Sequence, residues 1–162
     1  MSEWQSFDLE QPSDELIRWW SDWATGNTAG GSTFIAYVPR PVVELVGIEQ
    51  PGYGLVNLRL GFHLSGKLRG YTSWLTGVTT GNVRSVHLND FNPANGAGFR
   101  VEAGHGIVDA YLLDGIEASP RLTGNPNGDD VNLSLSGRKI AGMQCRIQDG
   151  YGLVDARLFS LP

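Results

Sequence analysis

Three stretches of this chain are near copies of one another. Gly52–Leu60 reads Gly-Tyr-Gly-Leu-Val-Asn-Leu-Arg-Leu, Gly104–Leu112 reads Gly-His-Gly-Ile-Val-Asp-Ala-Tyr-Leu, and Gly150–Leu158 reads Gly-Tyr-Gly-Leu-Val-Asp-Ala-Arg-Leu. A repeat of roughly 50 residues constrains the fold more than any single residue does, because each unit must bury its apolar face against its neighbours. It also bears on function: three similar units present two or three similar surfaces rather than one asymmetric cleft.

The repeat extends further and wraps around the chain. About twenty residues after each Gly-x-Gly stands a second signature, Trp74-Leu75-Thr76-Gly77 in the first unit and Arg121-Leu122-Thr123-Gly124 in the second. The third copy, Trp23-Ala24-Thr25-Gly26, stands at the front of the sequence. Each Thr-Gly leads through a short polar loop to another glycine: Gly31, Gly81 or Gly128. The units are therefore about 43–90, 91–138, and 139–162 joined with 18–39. This split predicts that residues 18–39 and 142–162 pair in one sheet.

Within each unit the apolar residues alternate. Val56, Leu58 and Leu60 are expected to face inward, with Val108, Ala110, Leu112 and Val154, Ala156, Leu158 as their counterparts. Leu55, Asn57, Arg59 and their equivalents Ile107, Asp109, Tyr111 and Leu153, Asp155, Arg157 are expected to face outward. A period of two is the signal of a half-buried strand. The pattern returns after each Thr-Gly loop, at Phe34, Ala36, Val38; Val86, Leu88; and Val131, Leu133, Leu135. Short strands also precede each Gly-x-Gly, which then reads as a hairpin turn. Segment 12–20 carries a Pro-Ser start signal for a helical turn, whereas the register of the repeat asks for extended chain near Trp20.

The fold class is thus all-β, with about four strands per unit. Two architectures accommodate it: a prism of three roughly four-stranded antiparallel sheets around a common core, and a β-trefoil. The similar hairpins and the split third unit favour the prism. The 22 glycines recur at fixed offsets and read as turns. A length of 162 residues is most simply one domain.

Gly52–Leu60 and Gly150–Leu158, with Ile140–Ile147 leading into the last hairpin, resemble the repeat of the vitelline-membrane outer-layer protein family. The resemblance covers residues 43–162 and, through the wrap-around, 18–39. It implies a β-prism fold. That family is disulfide-rich and secreted, and its hairpins carry an acidic pair. This chain has one cysteine, and Gly-Leu, Gly-Ile and Gly-Leu at 54–55, 106–107 and 152–153. The fold is what transfers. More broadly, β-prisms resemble jacalin-like plant lectins and a domain of insecticidal crystal toxins, both of which bind carbohydrate or a receptor through loops at a prism end.

Charge and composition narrow the functions. With 12 basic against 17 acidic residues and no basic cluster, the chain lacks the concentrated Lys and Arg that phosphate backbones require, so nucleic acid is not the expected partner. No apolar run approaches the roughly 20 residues of a membrane span. The first residues, Met1-Ser2-Glu3-Trp4-Gln5, show no secretory signal, so a cytoplasmic location or release by a non-classical route is expected. Cys145 is alone and excludes an internal disulfide. His63, His87 and His105 lack metal-ligand spacing, and Gly-x-Gly without a third glycine and a following helix is no phosphate loop. No cofactor and no metal are expected, and no catalytic residue stands out.

The candidate binding residues are those the topology gathers at one end. Tyr53, His105 and Tyr151 occupy the same hairpin-tip position, where an aromatic ring can stack on a sugar or simply cover the turn. Asn27, Asn82, Asp129 and Asp130 lie in or beside the Thr-Gly loops, where short polar side chains suit hydroxyl recognition and also plain turns. Trp19, Trp20 and Trp23 form an aromatic cluster expected to cap one end of the core. The leading expectation is a non-enzymatic, lectin-like carbohydrate-binding module for glycans or glycoconjugates. A toxin or toxin-associated protein recognising a host membrane or cell-surface receptor is the alternative, and an oligosaccharide-modifying enzyme a third.

Overall fold

The computed structural model describes residues 4–6, 19–27, 32–37, 40–51, 53–65, 68–89, 92–115, 117–148 and 152–160, with the backbone alone for 4–6, 32–37, 64, 65, 68 and 69. The described strands are β1 (Trp4–Ser6), β2 (Trp19–Trp20), β3 (Ser32–Tyr37), β4 (Val42–Gln50), β5 (Gly54–Ser65), β6 (Leu68–Tyr71), β7 (Asn82–His87), β8 (Gly96–Glu102), β9 (Gly106–Asp114), β10 (Glu117–Ala118), β11 (Asp129–Ser134), β12 (Gly142–Gln148) and β13 (Gly152–Ser160). They form three sheets, ordered β1-β6-β5-β4-β7, β10-β9-β8-β11 and β2-β13-β12-β3.

Each sheet contains the same four-stranded Greek key. A tight hairpin joins its two central strands (β4–β5, β8–β9 or β12–β13), a short strand pairs outside the second, and the chain then crosses back to pair outside the first. In the first sheet β1 adds a parallel edge beside β6. The third sheet unites residues 19–20 and 32–37 with 142–160, since β2 pairs with β13 and β3 with β12. This is the β-prism, not the trefoil. The split repeat required it: residues near 19–37 have no other sheet to complete.

The inward faces meet in a single core. It holds Leu55, Leu58, Leu60 and Phe62 from β5, Ile107, Ala110 and Leu112 from β9, and Leu153, Ala156 and Leu158 from β13. Leu45, Phe99, Met143 and Cys145 answer them from the paired strands. Leu55, Ile107 and Leu153 were expected to face outward, yet all three are core residues. A β-bulge at the same place in each hairpin is the reason. The register shifts between Ile48 and Glu49, between Arg100 and Val101, and between Arg146 and Ile147, so that Val56, Val108 and Val154 have no partner across the ladder. One extra residue reverses the alternation beyond it.

The bulged valines are nevertheless buried, and they close a ring around the threefold axis. A Cβ at Gly54 would lie 2.9 Å from Ile107 O and 3.0 Å from Val108 Cγ1; one at Gly152 would lie 2.8 Å from Leu55 O and 3.2 Å from Val56 Cγ1. At Gly106 a Cβ would collide with Leu153 O and press on Val154. Each hairpin's second glycine thus abuts the next unit's bulge, cyclically. All three glycines have φ near +90°, a region side-chain-bearing residues rarely adopt.

Two further expectations meet the structure here. Trp19 and Trp20 are extended and pair with Ser160 and Phe159; the rest of the suggested helical turn, 12–18, lies outside the described residues, as do Gly31 and Val38. The tryptophans do not cap the core. Trp20 and Trp23 lie on the outer face of the third sheet under Arg157, where Trp20 packs against Phe159 at 5.1 Å between ring centroids, while Trp19, paired with Ser160, alternates to the other face and lies under Arg138 at 4.2 Å.

The ring contact is open to test. Gly106→Ala should destabilise the fold by on the order of 2 kcal/mol or more, since it adds a backbone collision to a strained φ. Gly104→Ala has nothing within 4 Å at a similar φ of +84° and should cost only about 1 kcal/mol. Chemical denaturation of the two variants reads the difference; equal losses would show that the ring carries no stability.

Candidate functional site

Because consecutive strands reverse, every Gly-x-Gly hairpin and every Thr-Gly loop turns at the same end of the prism. The two are locked together in each unit by one buried side chain. Asp109 is fully buried and accepts hydrogen bonds at Oδ1 from Thr123 N (2.8 Å) and Ala110 N (2.9 Å), and at Oδ2 from Gly124 N (3.0 Å). Asn57 holds the first unit, accepting from Thr76 N (2.9 Å) and Leu58 N (3.0 Å) and donating to Thr76 O (3.0 Å) and Val78 O (2.8 Å). Asp155 accepts from Thr25 N (2.8 Å) and Ala156 N (2.9 Å); its Oδ2 is buried without a hydrogen-bond partner among the described residues. The threonine completes each clamp. Thr25, Thr76 and Thr123 donate Oγ1–H to the carbonyls of Val154, Val56 and Val108, the bulged residues. The same hydroxyls accept from the amides of Asn27, Val78 and Asn125. Asn57, Asp109 and Asp155 thus lie on the outer face, as expected, where the Thr-Gly loops cover them completely.

Farther along the outer face, cations stack on aromatic rings. Arg59 lies over Tyr71 at 4.3 Å and Trp74 at 4.5 Å, and Arg157 over Trp20 at 3.6 Å and Trp23 at 4.6 Å. Arg146 also lies over Trp23, at 4.1 Å. In the second unit the partners are exchanged: Tyr111 stands where the others have arginine, Arg121 stands where they have tryptophan, and Arg121 lies over Tyr111 at 4.4 Å. Such stacks contribute about 0.5–2 kcal/mol depending on desolvation. Burial lowers the Arg59 pKa, opposed by the Tyr71 and Glu44 charges, and burial together with the Asp130 charge raises that of the Tyr111 hydroxyl. Tyr111 also lies flat across Gly98, where a Cβ would meet its ring, and donates to Asn132 Oδ1 at 2.7 Å.

Two open clefts lie side by side at the hairpin end. The first, of about 260 Å³, is bounded by Glu49, Gln50, Tyr53 and Gly54 of one hairpin, Glu102 and His105 of the next, and Asn125 and Asn127 of a Thr-Gly loop. The second, of about 270 Å³, is bounded by the hairpin 101–106, Gln148, Val154 and the loop residues Thr25 and Asn27. They are repeat-related: each lies between one unit's hairpin and the Thr-Gly loop of the next. Glu102 and His105 form a wall common to both. The tip amides are tied down, with Tyr53 N donating to Gln50 O at 2.9 Å and His105 N to Glu102 O at 3.0 Å, which leaves both rings half exposed.

The residues singled out from sequence are distributed as follows. Tyr53, His105 and Asn27 line the clefts. Asn82 and Asp129 are exposed at the same end, paired across the ladder with Glu49 and Val101, and neither lines a described cleft. Asp130 is engaged elsewhere: its carboxylate accepts from Arg121 Nη1 and Nη2 at 2.9 and 2.6 Å and pairs with Arg100 Nε at 3.2 Å. Tyr151 lies outside the described residues. Sequence reasoning passed over Glu49, Gln50, Glu102 and Gln148. Their signal was position, immediately before each Gly-x-Gly tip.

The fold is that of jacalin-like lectins. Frutalin from Artocarpus incisa matches with a TM-score of 0.66 at 15% identity, covering 93% of this chain and 100% of that one. Calsepa lectin, solved with a bisected glycan, matches at 0.64 and 13% identity, covering 88% and 97%. A mannose-binding jacalin-related lectin from Ananas comosus matches at 0.57 and 9% identity, covering 88% and 98%. No family model and no curated protein sequence matches the chain. Of the wider β-prism resemblance, it is the jacalin-like part that the solved structures support.

The Arg121–Asp130 pair predicts a pH dependence. Hydrogen bonds from Arg121 hold the Asp130 pKa below the usual carboxylate value. A depressed folded-state pKa gives stability that is present above the unfolded value near 3.9 and lost as pH falls through the folded one. Asp130→Asn should therefore lower Tm slightly at neutral pH, by less than about 1 kcal/mol equivalent for so exposed a pair. The gap from the parent should shrink as pH falls below about 3.9, the unfolded value. A gap that widened on acidification would contradict the assignment.

Proposed function

We propose that the protein is a lectin-like carbohydrate-binding module whose ligands occupy the two clefts at the hairpin end. The observation that carries this reading is the repetition of one cleft design. Each combines a half-exposed tip ring (Tyr53 or His105) with asparagine from a Thr-Gly loop (Asn125 and Asn127, or Asn27) and a Gln or Glu at the hairpin base. An aromatic face packs on the apolar side of a sugar ring, and amides and carboxylates hydrogen-bond its hydroxyls. Each cleft is smaller than the roughly 300–1,000 Å³ of pockets for drug-sized ligands, which suits one sugar residue. The jacalin-like fold agrees with this reading. The residues described give no support to the toxin and oligosaccharide-enzyme alternatives.

Shallow single-sugar sites bind weakly, near ~1 mM or about −4 kcal/mol. A branched glycan that fills both clefts gains on the order of 10²-fold through effective concentration. Tyr53→Ala combined with His105→Ala should remove most of this gain on a glycan array. Both rings are half exposed, so Tm should hardly move. Unchanged glycan binding by the double variant would place the site elsewhere.

A further inference from the structure

The repeat supplies an internal standard for each position of the clefts, and two cleft positions depart from it. Gln50 pairs with Gly54, Glu102 with Gly106 and Gln148 with Gly152, so these three are equivalent. Two units carry a neutral amide there, and the middle unit carries a carboxylate of nearly the same shape. One residue earlier, Glu49, Val101 and Ile147 are equivalent through their pairing with Leu55, Ile107 and Leu153. Here the first unit alone has the carboxylate. The fold therefore requires an acid at neither position. Both acids nevertheless line the same cleft, the one beside Tyr53, and Glu102 also lines the other.

The cations near this end are turned to other partners. Arg84 Nε pairs with Glu49 at 3.3 Å and partly offsets it. Arg100 is held by Asp130 and by the carbonyls of Pro126 and Gly128. Arg146 donates to Asn27 O at 3.2 Å and stacks on Trp23. None of the three lines either described cleft. Among the described lining residues, the one side chain able to become cationic is His105, whose Nε2 is 3.9 Å from Glu102 Oε1.

We propose that Glu102, on the wall the two clefts share, acts as a charge filter that admits uncharged sugars and turns away glycans bearing carboxylate or sulfate. The inference rests on the lectin reading above and specifies its ligand class. Two like charges about 4 Å apart repel by about 1 kcal/mol even in bulk water, roughly a factor of five in binding, and by more in a partly desolvated cleft. Glu49 adds to the effect in the first cleft, weakened by Arg84. Since Glu102 faces both clefts, its single charge acts on a ligand in either.

The test compares an array of uncharged oligosaccharides with their sialylated and sulfated forms, at about pH 8 so that an ordinary imidazole is neutral. Glu102→Gln restores the residue the other two units already use, so the variant should fold and melt like the parent. The parent should favour the uncharged member of each pair by about fivefold or more at low salt. Glu102→Gln should shrink that preference several-fold, chiefly by improving binding of the anionic member, and added salt should shrink it in the parent. Glu49→Gln should do the same more weakly. Uncharged and anionic glycans bound equally by the parent, or a preference untouched by Glu102→Gln, would overturn the filter and leave the lectin reading standing. Failure of every glycan to bind would overturn both.

Discussion

A ring of three contacts at one end of the prism determines where everything else lies. Gly54 abuts the bulge at Val108, Gly106 the bulge at Val154, and Gly152 the bulge at Val56. Each contact requires two irregularities at once: a backbone with positive φ and no Cβ, and an extra residue in the neighbouring strand. The bulge reverses the side-chain alternation. Leu55, Ile107 and Leu153 thereby enter the core, while Asn57, Asp109 and Asp155 turn to the outer face. Without the extra residue, those polar groups would share the core face with Leu55 and its equivalents, at a penalty of several kcal/mol for each carboxylate left unpaired.

The buried polar residues in turn fix the loops. Each carboxylate or amide receives backbone N–H groups from a Thr-Gly loop, and each threonine hydroxyl donates to the carbonyl of a bulged valine. One chain of hydrogen bonds therefore runs from the inter-unit ring to the loop that walls a cleft. Such loops are positioned by the scaffold, the arrangement on which binding surfaces are commonly built. Outward from this layer, the Arg–aromatic stacks cover the remaining polar strands. Their exchange in the second unit, Tyr111 with Arg121 for Arg59 with Trp74, shows that the packing specifies a cation over a ring and not which strand supplies which.

The repeat made the architecture legible before any coordinates: three units, the split third sheet, Leu60, Leu112 and Leu158 in the core, and hairpins and loops at a common end. The bulge was not legible. A period-two pattern through Leu55-Val56-Asn57-Leu58 places either Leu55 or Leu58 wrongly, and both were in fact inward. Asp109 and Asp155 face outward as the alternation says, but no local pattern showed that a Thr-Gly loop folds back to cover them. Tyr53, His105 and Asn27 line the described clefts because the hairpin topology gathers them at one end, which the repeat made legible. Glu102 was missed because a lone acid before a turn resembles any solvated charge until its counterparts Gln50 and Gln148 are aligned with it. The Arg121–Asp130 pair was missed because it joins residues nine apart across a loop whose path no local pattern specifies.

The central claim is that ligands meet the hairpin end of the prism. Backbone amide NMR during titration with mannose- and galactose-bearing glycans tests it most directly. Shifts are expected at Tyr53, Gly54, Glu102, His105, Asn125 and Asn127, together with Asn27, and none at the opposite end, where Asn95, Gly115 and Gly137 turn. Shifts centred on Asn95, Gly115 and Gly137, or on the outer-face arginines and tryptophans, would contradict it.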